Sequence, residues 1–583
     1  MIVFVWAWLF PYSAGLNNPN ERTRVLQARA LLAHGSLAIG EILVEPGPGG
    51  TKRWHAVDTY GQRHHYDAHA GRAFVNDVAL VCHEPEAKPP DCAGMIFPAK
   101  APGAALLGLP ALAIADAAGL VPDGSEGETV ATWVLRYGGV ALPMLLFLIA
   151  FASLLRRAGV TAVFRRRAIL ATALGTTLLP YTLTFVGHAL AGGAIIASAA
   201  LLAPLTDICR PKKRGLDLAI AMTAGHVAGW AVLFEYHAFI AIIPLGIWVL
   251  ASPHRARMLP GFALGAGLAA LIHVELHTEM FGSALKTGHH FLMSAHNRAS
   301  QAGGFLGIEM FSFRALVDHL FDPYMGLLQT MPWLFFGALV GFPYVFRKAK
   351  DESPAPVAGG LPRGLIKALA MGPVLYLIFV SSLGQWQTMN GWGFGPRYLL
   401  PAMFPLAFVA TLGWFDLIRT DQPSRGSYLL GRVIAGLAAA SVIIVVVNAA
   451  AFPSPPDGAR NTFGEFALPL ILEGYGARTP GLPLGLGAYA LAPALIVAVL
   501  AALAVALGSD GGTTGRRRVW FAGATALVVG GLWLALITNS TPTPRDDARG
   551  AREFAASITE GVRPDHRGTF LGPLREPPRP ARP

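Results

Sequence analysis

Three short segments concentrate the residues with chemical potential. In NNPNERTRVLQARALLAHGSL, residues 17–37, the acid Glu21 follows the first apolar segment and leads a run of arginines. A carboxylate just outside a helix end can accept a proton, or it can be an ordinary solvated loop residue. In FPAKAPGAALLGLP, Lys100 enters an apolar helix beside Pro102. An ammonium at that depth meets a lipid phosphate or snorkels to water. In GQWQTMNGWGFGPRYLLP, Trp386, Asn390 and Trp392 precede Arg397, which stands between Gly-Pro and an apolar run. Tryptophans are common in interfacial belts, but an arginine there must be paired or hydrated, and a phosphodiester or pyrophosphate is a natural bidentate partner.

Other groupings are weaker. HHYDAH supplies His64, His65, Asp67 and His69, and HVELHTEM puts His273 and His277 on one helix face. Neither is a complete ligand set or an HExxH motif, so no metal residue is assigned and a divalent requirement stays open. Glu235 and Tyr236 occupy an outer turn, as an interfacial cap or as part of a site's rim. Cys82 and Cys92 share the first long loop, where a disulfide outside the cytoplasm and two free thiols are both compatible with the spacing; Cys209 abuts the basic RPKKR.

The elements that position these residues are membrane helices. Hydrophobic residues make up 53% of the 583 and charged ones 14%, against about 25% charged in soluble domains. The net charge of +11 sits largely in short basic runs between apolar segments, so it describes topology and not a nucleic-acid partner. Two crossings between successive basic runs lead to an all-α polytopic bundle of about 13 transmembrane helices. They fall at 1–15, 131–155, 168–187, 189–208, 217–234, 238–252, 259–275, 330–346, 365–382, 397–418, 430–451, 487–508 and 519–538. Residues 1–15 have no basic n-region or cleavage site and are read as a first helix, not a signal peptide. Residues 101–120 would break the parity and are expected to lie in the outer interface. Residues 1–538 then form one transmembrane domain, with a large helical first external (periplasmic) loop at 15–130. The Pro- and Arg-rich tail, 539–583, is expected to be external and largely disordered. The segment NERTRVLQARALLAHGSLAIG, from residue 20, reads as a helix ended by His-Gly-Ser, with Arg22, Arg24 and Arg29 on a polar face near headgroups.

Four motifs, in order, resemble the C-superfamily (GT-C) of integral-membrane glycosyltransferases, within it the bacterial group related to protein mannosyltransferases and the aminoarabinose transferase of lipid A. That group carries a D-E-x-R-Y-like pattern before an Ala-rich helix; here Asn20-Glu21-Arg22-Thr23-Arg24 leads to His34-Gly35. A Lys-Pro-Pro-like motif is matched by Lys100-Ala101-Pro102. TxxPYSxxFxGH is matched by TLLPYTLTFVGH, residues 177–188, and GGWxFGPRYLLP by NGWGFGPRYLLP, residues 390–401. The likeness spans residues 1 to 420. Asn20 stands where the group has its first Asp.

The resemblance implies an inverting transfer of a sugar from a polyprenyl-phosphate donor to a lipid, glycan or protein acceptor on the outer face of the bacterial cytoplasmic membrane. No organic cofactor is implied. Glu21 is the implied general base, and with Asn20 in place of the Asp either Glu21 alone carries the proton transfer or another loop acid, Asp58 or Asp77, contributes. Under the same resemblance Arg397 and Lys100 are the candidates for binding the donor phosphate, and Asn20, Tyr181, His188, Glu235, Tyr236, Trp386, Asn390 and Trp392 the candidates for lining the cavity. A lipid or sugar transporter or flippase is the alternative, as is a non-catalytic relative. A transporter predicts internal repeats and mid-membrane charges, and the sequence offers no convincing repeat.

Overall fold

The computed structural model describes the chain apart from residues 10–18, 48, 50, 67–72, 76, 85, 91, 208–212, 295–297, 299–306, 348–359, 385–392, 420–423, 456–460, 473–474, 477–478, 482–483, 487–488, 509–515, 540–548, 551 and 553–583. The expected disordered tail therefore lies almost wholly outside the described residues. It opens with helices α1 (Ile2–Leu9) and α2 (Pro19–His34), followed by strands β1 (Gly40–Pro46), β2 (Lys52–Asp58), β3 (Arg63–His65), β4 (Val78–Cys82) and β5 (Gly94–Pro98). Then come α3 (Gly103–Ala117), α4 (Gly127–Arg157), α5 (Ala162–Leu174), α6 (Leu178–Thr182), α7 (Gly187–Leu202), α8 (Arg214–Phe234), α9 (Phe239–Ala251) and α10 (Arg255–Phe281). The chain continues through α11 (Phe313–Phe321), α12 (Leu327–Thr330), α13 (Pro332–Phe346), α14 (Arg363–Val380), α15 (Leu400–Arg419), α16 (Arg425–Ala451), α17 (Leu468–Leu472), α18 (Ala492–Leu507) and α19 (Arg516–Asn539).

Seven described helical segments are long and apolar enough to cross a membrane, and shorter apolar helices stand at other expected crossings. The protein is a helical membrane protein. Helices α7, α15 and α16 are buried along most of their length and form the centre, whereas α10 is largely exposed to the surroundings of the bundle. The expected crossing at 168–187 is broken into α5 and the single turn of α6. Every residue from Ala171 to Ile196 is buried, which is the condition under which irregular backbone is tolerated at membrane depth.

The first loop departs from the helical expectation. Between α2 and α3 the chain forms a five-stranded antiparallel sheet, in the order β3–β2–β1–β5–β4, with Gly40 facing Asp58 on one side and Ile96 on the other. Its strands are three to seven residues long, too short to show a period against the strong apolar signal of the rest. A disulfide joins Cys82 of β4 to Cys92. Ile42, Ala56, Leu80 and Ile96 pack with Leu26 of α2, while Val25 and Ala28 of the same helix join the core of the bundle.

Helix α2 is thus a wedge between sheet and bundle, and its arginines, expected near headgroups, turn to partners within the protein. Arg22 donates to Glu128 (2.8 Å) and to the Phe74 carbonyl (3.0 Å), Arg29 lies 4.6 Å over the Tyr60 ring, and Arg24 is fully buried. The wedge stops where Gly35 turns left-handed (φ 61°) and returns its N–H to the Leu31 carbonyl.

Basic residues at helix ends mark one end of the bundle. Arg157 closes α4, Arg214 opens α8, and Arg257 of α10 pairs with Asp217 at the start of α8 (2.6 Å). The opposite end carries α2, the start of α7 and Arg397. Helices α8 and α10 approach through glycines: a Cβ on Gly265 would stand 1.8 Å from the Met222 carbonyl oxygen, and one on Gly225 1.9 Å from that of Phe262. Gly265→Val is expected to cost at least about 2 kcal/mol, seen as a lower Tm of the detergent-purified protein; an unchanged Tm would contradict this packing.

Candidate functional site

The break after α6 shapes the site. Outside a helix, the Phe185 N–H has no intrahelical carbonyl, and it donates to Glu21 Oε1 (2.6 Å). Arg136, in the π-helical stretch Leu135–Ala141 of α4, donates from Nε to the same oxygen and from Nη2 to Oε2, both at 2.6 Å. Glu21 and Arg136 are both buried. Both oxygens of the carboxylate are thus engaged in a bidentate pair that ties α2 to α4. The signal for this partner was a lone arginine inside the apolar run 131–155.

One turn along α2, Arg24 donates from Nη1 to the carbonyl of Asn20 (2.7 Å) and to its side-chain oxygen (3.3 Å). Its Nε and Nη2 have no hydrogen-bond partner among the described residues. Burial works against its charge and lowers its pKa, as does Arg397, while Glu235, Asp77 and the Tyr236 hydroxyl counter it. Those five residues therefore form one electrostatic neighbourhood.

Arg397 is aimed into it by the GFGPR turn. Gly395 adopts φ 64°, and a Cβ there would meet Thr177 at 2.5 Å, so the turn needs glycine for both conformation and space. Pro396 then starts the short turn Arg397–Leu399, in which the Arg397 guanidinium lies 5.1 Å over the Tyr398 ring. Asp77 and Tyr181 act on Arg397 electrostatically. Asp77 is the single described non-glycine residue with positive φ (59°), a conformation that often marks functional positions. Its backbone carbonyl accepts from Ala99 and its carboxylate lies 3.8 Å from Lys100 Nζ. Asp77 therefore lies beside Lys100 and within electrostatic reach of Arg397.

A second acid closes the other side. A Cβ on Gly187 would sit 2.1 Å from the Phe234 carbonyl oxygen, and this close approach brings His188 at the start of α7 to Glu235 at the end of α8. His188 Nδ1 lies 2.7 Å from Glu235 Oε2, off the ideal hydrogen-bond direction, and His237 Nδ1 lies 3.6 Å from Oε1. Burial pushes the Glu235 carboxyl up, but the two imidazoles overcome it and hold the group well below the usual carboxylate range. Tyr236 turns away to His277: His277 Nδ1 must donate to the Lys286 carbonyl (2.7 Å), so its Nε2 accepts from the Tyr236 hydroxyl (2.9 Å).

Asp58 is used elsewhere. Its Oδ1 accepts from the N–H groups of Tyr60 and Gln62, and its Oδ2 lies 2.7 Å from His64 Nε2, all within the sheet's turn. Trp386, Asn390 and Trp392 lie outside the described residues. Reading the sequence alone put Arg24 at headgroups and passed over Arg136 and His237. No group of three or more metal-ligating side chains is present among the described residues.

No family model matches the chain, and no curated protein matches it. Among solved structures the chain is similar to ArnT from Cupriavidus metallidurans in the apo state, at 13% identity and a TM-score of 0.41, over 90% of this chain and 75% of that one. A likeness at that level assigns no role to any residue here.

Removing one partner of the Glu21–Arg136 pair leaves the other buried and uncompensated. Glu21→Gln is expected to destabilise the protein by about 3–5 kcal/mol, and Glu21→Gln with Arg136→Gln by less than either single change. Tm values of the four proteins in one detergent test this; additive losses would contradict the pairing.

Proposed function

We propose that this chain is a membrane glycosyltransferase of the GT-C type, moving a sugar from a polyprenyl-phosphate donor to an acceptor on the outer face of the cytoplasmic membrane with inversion. The carrying observation is the pair of buried guanidiniums, Arg24 and Arg397, within electrostatic reach of each other and of Asp77, whose carboxylate lies 3.8 Å from Lys100 Nζ. Such a cluster favours an anion with several oxygens, as a phosphate has. The basic residues that flank the membrane helices at the opposite end, Arg157, Arg214 and Arg257 among them, support a site facing away from the cytoplasm. A disulfide on the site's side supports the same orientation.

In the proposed reaction the acceptor hydroxyl gives its proton to a carboxylate as its oxygen attacks the anomeric carbon. The bond from that carbon to the phosphate oxygen breaks with its electrons, and polyprenyl phosphate leaves with one more negative charge. Arg24, Arg397 and Lys100 bind that charge as it develops. In-line attack opposite the leaving phosphate inverts the anomeric centre.

The sequence pointed to Glu21 as base. Its two oxygens are committed to Arg136 and the Phe185 N–H, so the proposal gives Glu21 the task of holding α2 in place and gives the proton to Asp77. Asp77 has one long ion-pair contact among the described residues and a partly exposed carboxylate. Glu235, ionised between His188 and His237, is suited to accept hydrogen bonds from sugar hydroxyls.

Protein in nanodiscs, given a panel of polyprenyl-phosphate sugars, should release polyprenyl phosphate. Asp77→Asn is expected to slow release by about 10²–10⁴-fold, whereas the Glu21→Gln, Arg136→Gln double variant, if folded, keeps the rate within about tenfold. Wild-type turnover in Asp77→Asn, with loss in the double variant, would return the base to Glu21.

A further inference from the structure

Helix α11 is too short to cross a membrane, since nine residues rise about 14 Å. Its inner row, Ala315 and His319, is buried against the bundle. Its outer row is Phe313, Val317 and Phe321, spaced four residues apart so that they line one stripe. Phe313 is 70% exposed, and Met310 and Phe311 just before it are also exposed. Arg314 and Asp318 form the adjacent row, 3.8 Å apart. A continuous apolar stripe beside a charged row has the character of a helix lying in a membrane interface.

The ties of this segment fix its level. Glu309 N–H donates to the Ser382 carbonyl (2.8 Å) and Ser312 N–H to that of Ser381 (2.9 Å). Those serines directly follow α14, one of the membrane-length helices. Phe321 packs its ring edge on Phe335, in the first turn of α13, at 5.4 Å. The stripe therefore stands where two apolar helices reach the site's end of the bundle, and those helices themselves expose apolar side chains, Leu339 on α13 and Ile378 on α14.

We infer that Met310–Phe321 is an interfacial segment whose Phe313–Val317–Phe321 row is seated at the acyl-chain boundary of the leaflet on the site's side. Arg314, exposed beside that row, is placed to reach lipid phosphates. The segment runs on into the functional turn. The Tyr324 hydroxyl accepts from the Gly393 N–H (3.3 Å) and donates to the Pro455 carbonyl (3.1 Å). Thr330 Oγ1 lies within van der Waals contact of the Cβ position of Gly395. The lipid-seated row is thus joined through residues 322–330 to the turn that aims Arg397. It forms a lip of the site on the membrane side, whatever the lipid-linked substrate proves to be.

The test uses the full chain with Cys209→Ser and the disulfide intact. Phe313→Cys, Phe321→Cys and Arg314→Cys are spin-labelled singly in phosphatidylethanolamine/phosphatidylglycerol nanodiscs, with Lys52→Cys on the sheet as an aqueous reference. Power saturation compares access to oxygen with access to a water-soluble nickel chelate. Labels at 313 and 321 are expected to favour oxygen several-fold over the reference, with 314 between. Nickel access at 313 and 321 equal to that at 52 would overturn the inference, as would protection from both reagents, which would mean a protein covers the row. Two labelled positions keep the test valid if one variant fails to fold.

Discussion

Two guanidiniums buried at the same end of an apolar bundle constrain everything around them. Arg24 and Arg397 work against each other's charge, and Arg24 keeps two nitrogens without a hydrogen-bond partner among the described residues. Burying such charge is unfavourable unless partners or a ligand compensate it. The fold holds both in place by separate means. Arg24 rides on a helix wedged between sheet and bundle and locked to α4 by Glu21 and Arg136. Arg397 leaves a turn that only glycine at position 395 can make.

The acids nearby are sorted by what already holds them. Glu21 is saturated by a bidentate guanidinium and a backbone N–H, and Asp58 caps a turn of the sheet. Glu235 is clasped by two imidazoles. Asp77, in a left-handed conformation beside Lys100, is the carboxylate with the loosest hold. A site that must both bind an anion and take up a proton needs this division, because a carboxylate whose two oxygens are already engaged has none left to offer an acceptor hydroxyl.

Much of this was legible in the sequence. Long apolar runs and basic clusters marked the helices, since period and hydropathy act over twenty residues at a time. NGWGFGPRYLLP marked Arg397, because an arginine between Gly-Pro and an apolar run must be paired or hydrated. The sheet was not legible, its strands being short and half-buried in a chain dominated by helix signals. Nor was the inward turn of Arg24, which depends on the sheet covering the other face of α2. Glu21 stood out as an acid at a helix exit, but its partner lies 115 residues away in sequence and only the packing of α2 on α4 brings them together.

The most direct test of the central claim is a cryo-EM structure of the protein in nanodiscs with polyprenyl phosphate. The account predicts phosphate oxygens about 2.7–2.9 Å from Arg24 Nε or Nη2 and from the Arg397 guanidinium, with Asp77 at the rim. A phosphate bound elsewhere, with Arg24 turned to a carboxylate of the chain itself, would contradict it.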